Sequence, residues 1–102
     1  MPAYEPGEEI QLDVKSKRKF FAKAMSWREQ RNYANVEKSA KQDTDTQAET
    51  EAILKTILTR LTRTEPPIEL TAEALGNALD FALIWELNAA LKYNLTYEEK
   101  KS

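Results

Sequence analysis

The chain has 102 residues, 41% of them apolar and 31% charged, with a formal net charge of −2 and neither cysteine nor histidine. That length supports one domain with one modest core, and the apolar share is too high for a fully disordered chain. The missing side chains exclude disulfides, thiolate nucleophiles and the residue that most often serves as catalytic base or transition-metal ligand, so a zinc site would need carboxylates alone.

The N-terminus, MPAYEPGEEI, is acidic and interrupted by Pro2, Pro6 and Gly7, without the apolar core of a secretory signal. Residues 8–14, EEIQLDV, alternate: Ile10, Leu12 and Val14 share one face, and Glu9, Gln11 and Asp13 the other. Period two is the mark of a half-buried strand. Lys15 to Arg18 read as a turn and residues 19–25 as a second strand, with Phe20 and Phe21 on opposite faces. The expectation is a β-hairpin over 8–25. A lone hairpin is marginal in water and needs a helix or another molecule to lean on.

A helix is expected over 26–41. Ser26 and Glu29 have the spacing of a capping box, in which each side chain takes the other residue's backbone amide. Its apolar face is thin: Trp27, Tyr33, Ala34, Val36 and Ala40. Residues 37–51 carry no large apolar side chain and read as a polar, mobile linker. A second helix is expected over 46–63, where Ile53, Leu54, Ile57, Leu58 and Leu61 repeat at a spacing of three or four. The TEPPIE segment ends it, because proline cannot continue the helical ladder.

Thr71 is placed to cap a third helix over 71–94. Leucines at 75, 79, 83, 87, 91 and 95 follow every fourth residue, and alanines at 74, 78, 82, 89 and 90 widen the apolar surface. A four-residue row drifts about 40° per step, so it is not the 3.5-residue seam of a coiled coil. Asp80 and Glu86 would each cost about 2.5–3.5 kcal/mol inside a bilayer, which excludes a membrane span. The segment therefore reads as the apolar core helix, with Phe81, Trp85 and Tyr93 offering surface to a partner or a second copy. Residues 95–102 are expected to fray, with Thr96 and Glu99 as a further capping box. The fold class expected is α+β, mostly α: an N-terminal hairpin followed by about three helices in a single small domain.

Charge is unevenly distributed. Residues 15–31 hold seven cations against one acid, a net of +6, which leaves −8 for the rest of a chain whose total is −2. Trp27, Phe20 and Phe21 interleave with these cations, a pattern shared with nucleic-acid surfaces. Overall acidity argues against strong nonspecific DNA binding. Lys17, Arg18, Lys19 and Trp27 are read instead as a docking surface for a protein with an acidic face. The carboxylate pairs Glu8/Glu9, Asp43/Asp45, Glu49/Glu51 and Glu98/Glu99 lie in polar surroundings, and the two glycines make no phosphate loop. No catalytic residue, metal ligand or cofactor is expected.

The order of these pieces resembles small proteins from the structural gene clusters of tailed phages and prophages, tail assembly chaperones in particular. The stretch YEPGEEIQLDVKSKRKFFAKAMSWRE carries the likeness, followed by a polar middle, a leucine-rich helix and the terminus LTYEEKKS. The resemblance is one of layout and covers most of the chain. It implies a non-enzymatic protein of the host cytoplasm, or of the virion, that binds a long, aggregation-prone structural protein such as the tape measure. Two other classes fit the residues: a head, neck or tail component held in a symmetric assembly, and a small nucleic-acid-associated regulator using the basic hairpin.

Overall fold

The computed structural model describes residues 4–40 and 45–97. Two short strands, β1 (Glu9–Gln11) and β2 (Lys19–Lys23), lead into helix α1 (Trp27–Ala40). Helix α2 (Thr46–Leu58), strand β3 (Leu61–Glu65) and helices α3 (Ala72–Ala78) and α4 (Phe81–Lys92) follow. The strands form one antiparallel sheet in the order β1-β2-β3. The α+β class stands, with four helices among the described residues and a third strand.

The hairpin forms, with shorter strands and a longer connection than the sequence suggests. Glu9 pairs with Lys23, Ile10 with Ala22 and Gln11 with Phe21. Ile10, Leu12, Phe20 and Ala22 are buried on the inner face, and Phe21 stands half-buried on the outer one. The third strand corrects the helix expected over 46–63. Leu61 is in phase with the helical stripe before it, but α2 ends at Leu58 with Thr59 as its cap. Thr62 and Thr64 are β-branched and alternate with Arg63 and Glu65, which suits a pleated surface. Pairing with β2 also gives the hairpin the neighbour it needs. The β2–β3 register shifts by one between Phe21 and Ala22, which leaves Thr62 as the extra residue of a bulge.

The helix expected over 71–94 is two helices. Leu79 is extended, with φ −111° and ψ 142°, and the Asp80 carboxylate accepts a hydrogen bond of 2.8 Å from the Leu83 amide. Aspartate favours a cap over a helix interior, because its oxygen competes for nearby backbone donors. The break has a packing consequence. In one continuous helix the leucine row would wind off the core, whereas resetting the chain at Leu79 keeps Leu75, Leu79, Leu87 and Leu91 buried together. Helix α4 is thus core on one side, while Phe81 and Ala82 face solvent. The central helix is α2, which touches α1, α3 and α4 and buries Ile53, Leu54 and Ile57.

Two of the expected caps, at Ser26 and Thr71, are present. Ser26 N donates to the Glu29 carboxylate at 3.0 Å, and Glu29 N donates to Ser26 Oγ at 3.3 Å. Ala74 N donates to Thr71 Oγ1 at 3.1 Å. Of the polar stretch 37–51, residues 37–40 are the last turn of α1 and 46–51 the start of α2. Residues 41–44, and Glu99 of the second expected capping box, lie outside the described residues. Glu37, read from the sequence as linker, is buried. Its carboxylate accepts from Asn88 Nδ2 and from Lys92 Nζ, the latter at 2.7 Å, while the Tyr33 hydroxyl donates to Asn88 Oδ1 at 2.8 Å. This network fixes the register of α1 on α4.

The end of α4 also departs from expectation, since residues 95–97 are tied down. Asn94 has φ +50°, the left-handed conformation that asparagine tolerates. Leu95 N donates to Ala90 O and Asn94 N to Leu91 O, the pattern of a Schellman cap. The Asn94 side chain then accepts from Met25 N at 2.9 Å and donates to Met25 O at 2.7 Å. Beyond it, Asp13 N donates to Leu95 O and Tyr97 N to Gln11 O, each at 2.8 Å, along the outer edge of β1. Replacing Asn94 with alanine should cost about 2–4 kcal/mol, because two buried backbone groups lose their partners and alanine resists the left-handed conformation. Asn94→Gly restores the backbone freedom and should recover about 1 kcal/mol of that. Urea denaturation of the three proteins measures both steps, and equal midpoints would show that the clamp carries no stability.

Candidate functional site

The connection between β1 and β2 holds its cations in place. Lys15 N donates to the Glu86 carboxylate of α4, Arg18 N to Ser16 Oγ at 3.1 Å, and Arg18 Nη1 to Pro66 O at 2.8 Å. Lys17 and Lys19 project into solvent. Among the described residues, Lys17, Arg18 and Lys19 form no ion pair. Together with Ser16 and the exposed ring of Tyr97 they line a recess of about 280 Å³.

Trp27 opens α1 and is 68% exposed, with the Arg31 guanidinium 5.6 Å from its ring centre. Tyr93 closes α4 and is 60% exposed, with Lys92 Nζ 5.3 Å from its ring. Because Asn94 holds the Met25 backbone, the start of α1 meets the end of α4, and these two aromatics flank one junction. The five residues of β2 separate that junction from Lys17–Lys19 by roughly 16 Å of extended chain. Phe81, 57% exposed, leans on the half-buried Trp85 with ring centres 6.1 Å apart. Along α4, Phe81 lies about 18 Å and Trp85 about 12 Å from Tyr93. The seven residues singled out in the sequence therefore fall in three places: the basic connection, the Trp27–Tyr93 junction and the Phe81–Trp85 corner.

One concave feature escaped the sequence. The stripe Glu29, Tyr33 and Val36 of α1 faces Lys55 and Thr56 of α2 and Arg60 in the turn after it, across a groove of about 510 Å³. The signal available was Val36, an apolar residue on a helix otherwise short of them. On the groove's rim, Arg60 Nη1 lies 3.3 Å from the Glu29 carboxylate. The Ser26 backbone amide, then the Ser26 hydroxyl and Arg60, hold Glu29 below the usual carboxylate range against a smaller opposing effect of burial. Burial pushes the Tyr33 phenol well up, and the neighbouring Glu37 carboxylate adds to this. The hydrogen bond to Glu37 raises Lys92.

Among the described residues no three acidic side chains gather closely enough to hold a metal ion, and no helix is long and apolar enough to cross a membrane. No protein-family model, curated protein or solved structure matches the chain.

The shifts give a pH profile. Tyr33 and Lys92 are raised in the folded protein, so their contributions are complete below the ordinary values of 10.0 and 10.5 and are lost as pH climbs through the folded ones. Glu29 is lowered, so its contribution is complete above 4.5 and is lost on acidification. Urea midpoints should fall on both sides of a plateau between about pH 5 and pH 10. The alkaline fall should be shallower in Tyr33→Phe, and parallel curves for the two proteins would show that the fold does not hold this phenol neutral.

Proposed function

We propose that this chain is a non-enzymatic protein-binding module, of the assembly chaperone or adaptor type suggested by its likeness in layout to tail assembly chaperones. Its partner is a structural protein with an acidic face, a tape-measure protein in the setting that likeness implies. The observation that carries this reading is the set of large apolar side chains left in solvent beside cations. Trp27, Phe81, Tyr93 and Tyr97 are all well exposed on a chain of only 102 residues, and Arg31, Lys92 and Lys17–Lys19 stand next to three of them. Exposed aromatics with adjacent cations are the usual anchors of protein interfaces. The host cytoplasm, or the particle itself, is the place of action in this reading.

Replacing Lys17, Arg18 and Lys19 together with glutamate should weaken partner capture at least tenfold and slow association most at low salt. Stability should change by no more than ~1 kcal/mol, because the side chains are largely solvated. The partner is identified by mass spectrometry of proteins co-purified with the wild type, and its binding is then measured in both proteins. A gel shift decides against the reading if wild type binds duplex DNA at micromolar concentration in ~150 mM salt and the triple variant does not. The nucleic-acid regulator would then lead.

The Phe81–Trp85 corner favours self-association as a second route to the same end, either in the free protein or in a symmetric virion component. Phe81→Glu should lower the mass seen by light scattering while the far-ultraviolet spectrum stays helical. A wild-type protein that is monomeric at high micromolar concentration overturns this part.

A further inference from the structure

We infer that the groove between α1 and α2 receives a short apolar segment of a protein partner that carries a carboxylate, with Arg60 as its counter-ion. This rests on the protein-binding reading above and names the chemistry of the segment bound.

The groove is built by helical spacing. Glu29, Tyr33 and Val36 lie on one side of α1; opposite them stand the exposed Lys55 and the buried Thr56 of α2, and Arg60 just beyond that helix. Met25, Tyr33 and Thr56 are buried beneath it, and Val36 stands 51% exposed on its wall. A volume of about 510 Å³ lies in the range of ligand pockets and holds a few side chains rather than a folded domain. Such a surface favours an apolar occupant.

Arg60 supplies the second requirement. A guanidinium has five N–H donors. The Arg60 side chain is 24% exposed, and among the described residues its one hydrogen bond is the 3.3 Å contact with Glu29. Its Nε is shielded from solvent, and of its Nη donors one is spent, on Glu29. A guanidinium partly removed from water with donors unmet favours a planar anion that accepts two bonds at once. Glu29 does not fill that need, because its carboxylate is already held by the Ser26 amide in the capping box. Lys55 adds a second cation on the rim, so the groove is net positive against that single acid. An apolar segment with an aspartate or glutamate satisfies both the wall and the unmet donors.

The test uses the full chain and a random-peptide display library. The strongest binder is synthesised with its acidic residue and with the corresponding amide, and amide resonances of the labelled protein locate the site. Binding should perturb Val36, Thr56 and Arg60, and the carboxylate-to-amide change should weaken it about tenfold. Arg60→Gln should weaken the acidic peptide by a similar factor and abolish its advantage over the amide. Val36→Glu and Lys55→Glu, both at exposed positions, should weaken binding even if Arg60→Gln proves poorly folded. Binders that perturb only Lys17–Lys19 or the Trp27–Tyr93 junction overturn the groove assignment and leave the protein-binding reading intact. A concentration-dependent mass that Val36→Glu abolishes, with no peptide bound in the groove, assigns it to a second copy and overturns the partner segment. Failure to select any peptide overturns the inference, while the protein-binding reading is decided separately by co-purification of a partner.

Discussion

Asn94 joins the two ends of this fold. Its left-handed backbone turns the chain out of α4, and its side chain completes the hydrogen bonds of Met25, where β2 gives way to α1. The following residues then lie along β1. Sheet and helices are thereby closed on each other by one amide and a few backbone bonds, in a chain that has no disulfide to do it. The Trp27–Tyr93 junction lies at this closure, where Gln30 Nε2 also donates to Lys92 O at 3.2 Å. The anchoring of the basic connection on Glu86 depends on the closure indirectly, through the position of α4.

The second constraint is polar and buried. Glu37 would be expensive to desolvate alone, and its ion pair with the partly exposed Lys92 is weak evidence for stability in itself. What it provides is discrimination. Sliding α1 along α4 by one turn would strand a carboxylate, an amide and a phenol without partners, which costs far more than a misfit of methyl groups. Apolar packing between α2 and its neighbours supplies cohesion, and the network supplies the register. This division of labour suits a helix like α1, whose apolar face alone could not choose its position.

Local signals are legible in this sequence, and signals that depend on tertiary partners are not. The strand face of Ile10 and Leu12, the Ser26–Glu29 box and the Thr71 cap involve residues within a few positions of each other, and all appear as expected. Leu61 fits a helical stripe and a strand equally, and only the open edge of β2 decides between them. Asp80 sits inside an apolar run that looks continuous, and its preference for capping prevails with Leu75 and Leu79 both buried on the near side of the break. Glu37 resembled solvent-facing linker because its partners lie more than fifty residues away. Trp27, Phe81 and Tyr93 were legible as surface aromatics, but their distribution over separate places was not. The groove is built from residues that are unremarkable one at a time.

The sheet has two borders, and the chain treats them differently. The border of β1 is occupied by residues 95–97, while among the described residues no backbone bond reaches the far side of β3. That strand nonetheless makes a poor template for fibre growth. The bulge at Thr62 breaks its repeat, Arg63 and Glu65 place opposite charges along five residues, and Pro66 removes a donor where the strand stops. Extension by strand addition, the commonest accident of small sheets at high concentration, is thus discouraged without a cover. The contacts left open at the surface are then those of side chains such as Trp27, Phe81 and Tyr93, which discriminate by shape and charge, and not those of an unpaired backbone.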